Sequence, residues 1–224
     1  MNSSTLNATS AGTTVPTRRV TDAPTRVFHG LFALSFTGAY LTAESEHWRL
    51  VHVTLGYTLA GLLAFRLVWG LVGPRQARLG LLWRKLSGLK PWLASARAGQ
   101  FNGRQAQSLG MALAVLALMS TVVPLTLSGY ATYNDWGDLF GAEWAGERLE
   151  ETHALFANGM LALVLGHIGL IALRSLLHRT NAARPMLSGR IPGAGPDLVQ
   201  RNHGAVAVLL IGAVVGFWVV QAVA

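Results

Sequence analysis

The chain has 224 residues, of which 51% are hydrophobic and only 12% are charged. Soluble domains carry about 25% charged residues, so this composition favours a membrane protein. The chain contains no cysteine, which excludes disulfide bonds, thiolate metal sites, iron–sulfur clusters and covalently attached c-type haem. The net charge of +8 is compatible with nucleic-acid binding, but its distribution, given below, favours membrane topology instead, and no nucleic-acid partner is expected.

The chain begins with a segment rich in Ser and Thr that lacks the apolar stretch of a signal peptide. We therefore expect residues 1–22 to form a disordered cytoplasmic tail. A helix needs about 20 mainly apolar residues to cross a bilayer, and five segments are candidates. They lie at residues 26–43, 50–72, 108–129, 151–177 and 204–222. The predicted fold is an all-α integral membrane bundle, with a four-helix core in residues 23–190 and a loop with a fifth, C-terminal transmembrane helix in residues 191–224.

Two segments that connect predicted helices differ in composition from the helices themselves. Residues 74–107 are basic and contain Trp83 and Trp92, a pattern that favours an amphipathic helix at the membrane interface over part of the segment. Residues 179–202 are rich in Pro, Gly and Arg and are expected to form a loop.

The charges predict an orientation. With five spans, 15 of the 18 Lys and Arg residues lie on the side of the N-terminus, which the positive-inside rule places in the cytoplasm. Eight of the ten acidic residues lie on the opposite, outer side: Glu44, Glu46, Asp135, Asp138, Glu143, Glu147, Glu150 and Glu151. This acidic side is either a solvated loop surface or a docking face for a basic partner such as a small soluble cytochrome.

Four of the seven histidines fall inside predicted helices, where a polar ring is costly and usually functional. His29 lies near the cytoplasmic end of the first helix, and His52 lies near the outer end of the second. His153 lies near the outer end of the fourth helix. His167 follows it by 14 residues, about 21 Å deeper and on nearly the same face.

These depths predict two pairs: an outer pair, His52 with His153, and an inner pair, His29 with His167. Two imidazoles facing each other across a helix bundle can serve as the axial ligands of one haem. The spacing therefore predicts two haem b groups, one in each leaflet. Glycines beside the histidines provide room for a porphyrin, although glycine is also frequent in membrane helices for packing alone. They are Gly30, Gly56, Gly166 and Gly169.

Two arginines lie at the level of the inner pair. Arg66 follows His52 by 14 residues on the same helical face, and Arg26 precedes His29 by three residues. Either can pair with a haem propionate or can extend to the membrane surface. We favour the propionate for Arg66, and both roles stay open for Arg26.

Other interpretations of the histidines remain open. They can belong to a proton or metal-ion pathway, and the alternative function is that of a haem-free transporter or an assembly subunit. Such pathways usually need carboxylates, and no Asp or Glu lies deep in a predicted helix. His178 is a possible rival of His167, although it adjoins Arg179 at the membrane surface. His47 and His203 are expected to face solvent, and each has a less favoured role at a quinone headgroup or in a proton relay.

Several segments resemble the bacterial cytochrome b561 family, in particular the di-haem cytochrome b subunits of membrane-bound nickel–iron hydrogenases. The resemblance covers roughly residues 24–190. It is carried by Pro24-Thr-Arg-Val-Phe-His29, Leu50-Val-His52-Val-Thr-Leu-Gly56-Tyr57, Phe65-Arg66-Leu-Val-Trp69, Glu151-Thr-His153-Ala-Leu-Phe-Ala-Asn158, Gly166-His167-Ile-Gly169 and Met186-Leu-Ser-Gly189-Arg190.

The resemblance implies a four-helix core with two b haems whose axial ligands are His29, His52, His153 and His167. It also implies electron exchange, in a bacterial inner membrane, between quinone and a redox protein at the periplasmic face, such as a c-type cytochrome or a hydrogenase-like partner. Two roles stay open. The chain can be the anchor of a larger oxidoreductase, or a stand-alone quinone-linked oxidase of a small reductant such as superoxide.

Overall fold

The computed structural model describes residues 16–139 and 143–223, with the side chains of all of these except 138, 139 and 143. The elements in chain order are strand β1 (Thr17–Arg19), helices α1 (Ala23–Thr42), α2 (Arg49–Val72), α3 (Leu79–Leu86), α4 (Leu89–Arg97), α5 (Gly103–Tyr133), α6 (Trp136–Leu139), α7 (Glu143–His178) and α8 (Arg184–Leu187), strand β2 (Arg190–Pro192) and helix α9 (Gly204–Val223). A 3-10 turn, Glu46–Trp48, leads into α2. The described part of the chain is therefore mostly helical.

Within the described residues, four helices are long and apolar enough to cross a membrane: α2 with its preceding turn, α5, α7 and α9. Helix α1 has the necessary 20 residues, but it is not among these four. The charge of Arg26, the ring of His29 and several hydroxyl and glycine residues make α1 less apolar than the others.

Two of the spanning helices are longer than the sequence pattern predicts. Helix α5 starts five residues earlier, at Gly103, and α7 starts eight residues earlier, at Glu143. With 36 residues, α7 is about 54 Å long, whereas the hydrocarbon core of a bilayer is about 30 Å thick. An apolar sequence pattern identifies only the part of a helix that lies in lipid. The polar residues that extend a helix beyond the membrane were therefore not predicted as part of it.

The expectations for the connecting segments are partly wrong. In the basic stretch two short helices form, α3 and α4, as the interfacial-helix pattern predicted in part. The segment 179–202 is not simply a loop, because it contains α8 and β2. Residues 1–15 of the expected disordered tail lie outside the described residues. Residues 17–19 are not disordered but form β1.

Strand β1 is ordered because it pairs with β2 in antiparallel register, with Arg18 opposite Ile191. Asp197 lies beside this ribbon, 4.0 Å from the guanidinium of Arg19 and 3.7 Å from that of Arg190. Its carboxylate offsets the repulsion between these two arginines, which are directly opposite each other in the ribbon.

The centre of the bundle is an apolar cluster to which α1, α2, α5 and α7 all contribute. It contains Phe36 from α1, Leu59 and Leu63 from α2, Val122 and Leu125 from α5 and Met160 from α7. Val122 and Met160 are fully buried, each with 0% exposure. Met160 lies seven residues from both His153 and His167, so this cluster separates the outer pair from the inner pair.

Helix α9 packs outside this four-helix core, against α1 and α2. Leu210 and Val214 of α9 pack with Leu62 of α2 and with Phe28 and Phe32 of α1. Helix α9 thus packs directly against the helix that carries His29.

Candidate functional site

The two histidines of the outer pair meet across the bundle. His52 is the fourth residue of α2, and His153 is the eleventh residue of α7. Their ring centroids are 6.0 Å apart, and the ring planes are nearly perpendicular, at 83°. A bond between a metal and an imidazole nitrogen is about 2 Å long, so two imidazoles on opposite sides of one iron have centroids about 6 Å apart. The separation of these two rings therefore fits one iron between them.

Hydrogen bonds hold both rings by the same nitrogen. Nδ1 of His52 lies 2.8 Å from the carbonyl oxygen of Ala39 on α1. Nδ1 of His153 lies 3.0 Å from the carbonyl oxygen of Leu125 on α5, with the Ser128 hydroxyl 3.3 Å away. A carbonyl only accepts, so Nδ1 carries the proton in each ring and Nε2 keeps a free lone pair. This is the tautomer that a metal-binding histidine needs.

A cavity of about 520 Å³ opens beside these rings, within the range of pockets that hold cofactors and drug-sized ligands. Helices α1, α2, α5 and α7 all contribute to its walls, which include Phe36, Gly56, Tyr57, Tyr130 and both histidines. Glu44 and Glu150 also line the cavity, and both are exposed. The cavity is mainly apolar with a few polar groups, as a porphyrin site requires.

Glycine provides the space for this arrangement at two points. A Cβ atom added to Gly129 on α5 would lie 2.7 Å from Cε1 of His153, closer than the ring can tolerate. At Gly56, which lines the cavity, an added Cβ would meet nothing within 4 Å. Gly56 therefore leaves room in the cavity, and Gly129 allows the ring of His153 to lie directly against α5. The sequence pattern singled out Gly56 but missed Gly129, because the contact joins two different helices.

The two histidines of the inner pair are arranged differently from those of the outer pair. His29 on α1 is exposed and His167 on α7 is half-buried, and their side chains are near enough for the charge of one to act on the other. No ring contact like that of the outer pair joins them. Nδ1 of His167 is buried and has no hydrogen-bond partner in the described part of the chain. Added Cβ atoms at the neighbouring Gly30, Gly166 and Gly169 would meet nothing within 4 Å, so open space surrounds this pair.

The two arginines at this level differ in what they bind. Nη1 of Arg66 donates to the carbonyl of Ala77, at 2.9 Å, and its other nitrogens are not hydrogen-bonded in the described structure. Arg26 donates from Nε and Nη2 to the carbonyls of Met186 and Leu187, at 3.3 and 2.8 Å. Arg26 thus fastens α1 to α8, a contact that the sequence did not predict.

The remaining histidines lie outside both pairs. His178 is exposed and its Nε2 is 2.9 Å from the side-chain oxygen of Gln107. His47 is exposed, as expected, with its ring edge-on to Trp48. The expectation that His203 faces solvent is wrong, because its ring packs edge-on against Trp69 with centroids 5.3 Å apart and its Nδ1 is buried.

The residues described by the structure contain no group of three or more His, Cys, Asp or Glu side chains placed to hold a metal ion. His52 and His153 thus form a facing pair, in contrast to the clusters of three or more ligands that bind a bare cation. A pair of imidazoles suits an iron that already has four ligands from a porphyrin.

The sequence profile of the family described as prokaryotic cytochrome b561 matches residues 20–189, which is most of the chain. The chain belongs to the prokaryotic cytochrome b561 family. No curated protein and no solved structure matches the chain. Membership of the cytochrome b561 family implies a multi-pass membrane protein that binds haem b and transfers electrons as a di-haem cytochrome. The matched residues include both histidine pairs and end before α9.

Proposed function

We propose that this cytochrome b561 family member carries electrons across the membrane through two bis-histidine haem b sites. His52 and His153 hold the outer haem, and His29 and His167 hold the inner one. The observation that carries the proposal is the geometry of the outer pair. Its rings are 6.0 Å apart, their Nδ1 atoms are bound to backbone carbonyls, and a 520 Å³ cavity adjoins them. The bound haem supplies the one-electron chemistry, and the chain supplies its position and surroundings.

The chain's own residues prepare the outer site. The carbonyls of Ala39 and Leu125 orient the two imidazoles and make their Nε2 atoms better electron donors, because each carbonyl draws on the proton at Nδ1. The outer pair therefore depends on α1 and α5 as well as on the two helices that carry the histidines. At the inner pair, the unpartnered Nδ1 of His167 and the open space beside the glycines support the same role.

The proposal requires α1 to be the fifth membrane span. Helix α1 packs along α2 through the central cluster and along α9 through Phe28 and Phe32. A 20-residue helix is about 30 Å long, which matches the hydrocarbon thickness. Its polar residue Arg26 lies within the first turn, where the side chain reaches the carbonyls of α8 at the bundle's end.

Arg66 is the residue that we assign to a propionate of the inner haem. Its guanidinium is half-buried, and one terminal nitrogen is anchored to Ala77. The nitrogens that remain free can form charge-assisted hydrogen bonds with a carboxylate. We do not assign this role to Arg26, whose Nε and Nη2 bind α8.

For the redox partner we propose a basic periplasmic protein, for example a c-type cytochrome or a hydrogenase-like subunit. Glu44 and Glu150 lie at the cavity of the outer pair, and Glu46 and Glu147 extend the exposed acidic surface. The ion pairs of Glu46 with Arg49 and of Glu151 with Arg148 are exposed, so they neutralise this surface only weakly. The family resemblance supports membrane quinone as the other partner, and the positive-inside rule supports a cytoplasmic N-terminus.

The test is the haem content and reduced-minus-oxidised spectrum of the purified protein, with single histidine variants. We expect two haem b per chain, loss of the outer haem in His153→Ala and loss of the inner haem in His167→Ala. His178→Ala is the matched control, because it removes a histidine from the same helix outside both pairs, and it should retain both haems.

Two outcomes would decide against the assignment. Retention of both haems in His153→Ala or in His167→Ala would show that the pairing is wrong. A protein without haem, expressed with ample haem supply, would favour the haem-free transporter or assembly subunit. Added imidazole should restore the outer haem spectrum of His153→Gly, because the free base can occupy the space of the missing ring. Such rescue separates loss of a ligand from misfolding.

A further inference from the structure

A second group of polar side chains lies at the end of the bundle where α1 begins, α2 ends and α9 begins. It consists of Asp22, Arg66, Trp69 and His203, which we call the end cluster. Asp22 precedes α1, Arg66 and Trp69 lie on the last two turns of α2, and His203 precedes α9. Three elements that are distant in sequence thus bring ionisable groups together outside both histidine pairs.

Asp22 is the negative member of the end cluster. It is only 2% exposed, and its Oδ2 accepts a hydrogen bond of 2.8 Å from Nε1 of Trp69. A buried carboxylate needs a compensating charge, and the positive charge of Arg66 acts on it. Asp22 is therefore hydrogen-bonded to Trp69 and interacts electrostatically with Arg66, the arginine that we assign to the inner haem.

His203 is the member of the end cluster whose ring nitrogen has no hydrogen-bond partner in the described part of the chain. Its ring is edge-on to Trp69, and its Nδ1 is buried without a hydrogen-bond partner in the described residues. Its φ of 51° is in the left-handed region, which is uncommon for residues other than glycine and in which Asn, Asp and His are enriched. The contacts around His203 hold this uncommon backbone conformation in place. One of them is the 3.1 Å bond from the Ala23 amide to the Asn202 carbonyl.

The end cluster is close to the inner pair. Asp22 precedes His29 by seven residues, which is about 10 Å along a helix axis. Charges at this distance still interact in a low-dielectric interior, where screening is weak. An electron added at the inner site thus makes the end cluster more attractive to a proton.

We infer that the end cluster is a proton-binding site coupled to the inner haem, with His203 as the residue that takes up the proton and Asp22 and Trp69 as positioning residues. This inference rests on the proposed function of the inner pair. With a haem bound at the inner pair, Nδ1 of His203 would take up one proton from the aqueous phase for each electron that a reductant adds to the site. The proton would be released when the electron is passed on, so charge and protons balance.

Asp22 makes this site suitable for a proton. Imidazole is the side chain whose charge changes between about pH 5 and 8. The carboxylate of Asp22 is hydrogen-bonded to Trp69, the ring against which His203 packs. Most other charged groups of the surrounding elements are cations: Arg18 and Arg19 on β1, Arg26 on α1, Arg66 on α2, Arg78 after α2 and Arg201 beside His203 itself. The anion Asp197, which precedes α9, is paired with Arg19 and Arg190. Asp22 is the anion that is hydrogen-bonded to Trp69 in the end cluster.

The experiment is a redox titration of the inner haem, followed by its absorption band, at several pH values between about 5 and 8. In the native protein we expect the midpoint potential to fall as the pH rises, because reduction binds a proton. In His203→Asn this dependence should disappear within that range. Asparagine suits the left-handed backbone of His203, so the variant removes the titrating ring with little backbone change. His47→Asn, at the exposed outer turn, is the matched control and should behave as the native protein.

Two further variants test the positioning residues. Asp22→Asn keeps an oxygen acceptor for Trp69 but removes the charge, and it should move the pH dependence to lower pH. Trp69→Phe should weaken the dependence by releasing Asp22 from its hydrogen bond. If a variant does not fold, the coupling can be tested in the native protein instead. An indicator dye should then show proton uptake when the protein is reduced.

The outcomes separate this inference from the proposed function. Protein without haem would reject the proposed function itself. Two haems with native pH dependence in His203→Asn would reject only the end cluster, because the haem propionates would then bind the proton. Absence of both pH dependence and proton uptake in the native protein would overturn the inference as well.

Discussion

At the scale of single residues, the outer pair depends on backbone groups as much as on its histidines. The imidazole of His153 is held by the Leu125 carbonyl, 3.0 Å from Nδ1, and rests on Gly129 one turn further along α5. Helix α5 therefore shapes the site although it carries no histidine. A change in α5 that leaves every histidine intact should still disturb the outer haem.

Gly129→Ala tests this dependence. The added methyl group would lie 2.7 Å from Cε1 of His153, so the ring must move and lose its bond to Leu125. Changes to groups that orient a metal ligand typically lower affinity by about 10- to 100-fold, and we expect a loss of that size for the outer haem only. Haem titration of the apoprotein measures it.

Gly61→Ala on α2 is the control for this prediction, because a Cβ there meets nothing within 4 Å and the position is exposed. It should leave both haems unchanged. Equal haem affinity in Gly129→Ala and Gly61→Ala would mean that His153 does not need its position against α5.

At the scale of elements, α9 is fastened to the core by a hydrogen bond inside the apolar region. Nε1 of Trp218 donates to Oγ1 of Thr58 on α2, at 2.8 Å. The Thr58 hydroxyl in turn donates to the carbonyl of Thr54, also at 2.8 Å. Both groups are thus satisfied without water, and α9 is held against α2 at a defined height.

A double-mutant cycle of Trp218→Phe and Thr58→Val measures this bond. Hydrogen bonds between membrane helices contribute about 0.6 kcal/mol on average, and we expect a coupling energy of that order in the free energy of unfolding. Reversible unfolding in mixed detergent micelles, followed by circular dichroism, provides the measurement. Because α9 lies outside the core, both haems should remain in each variant. Strictly additive effects would show that the two side chains do not interact.

At the scale of the whole molecule, the number of spans decides which face each histidine pair approaches. If α1 crosses the membrane with α2, α5, α7 and α9, the two chain termini lie on opposite sides. If α1 stays at the surface, the four remaining spans place both termini on the same side. The contacts of α1 with α2 and α9 support the first arrangement.

Single-cysteine labelling tests this topology, since the chain has no cysteine of its own. Pro16→Cys lies just before β1 and Ala43→Cys lies just after α1, and both positions are exposed. In intact spheroplasts, a membrane-impermeant maleimide should label Ala43→Cys only, and Pro16→Cys should react only after lysis. Equal reactivity of both positions in intact spheroplasts would contradict a spanning α1, and the reverse pattern would invert the proposed orientation.

Much of the architecture could be predicted because it follows from local properties. Apolar length identifies α2, α5, α7 and α9, since lipid requires an apolar surface along each helix. The turn angle and rise of a helix place His153 and His167 on one face at two depths. The meeting of His52 and His153 therefore agrees with the spacing, whereas their role as iron ligands stays a prediction.

Other features were decided only when distant segments packed together. Nothing in the local sequence shows that Ala39 and Leu125 bind the rings of the outer pair, because a backbone carbonyl is present in every residue. Arg26 at α8, His203 against Trp69 and β1 against β2 likewise join segments separated by more than 130 residues. The sequence by itself determined that α2, α5, α7 and α9 are apolar enough to cross a membrane and how far apart His153 and His167 lie along one helix, because both depend on one helix at a time. Tertiary structure decided which polar groups are buried and what they bind, because burial depends on the neighbours that packing brings to them.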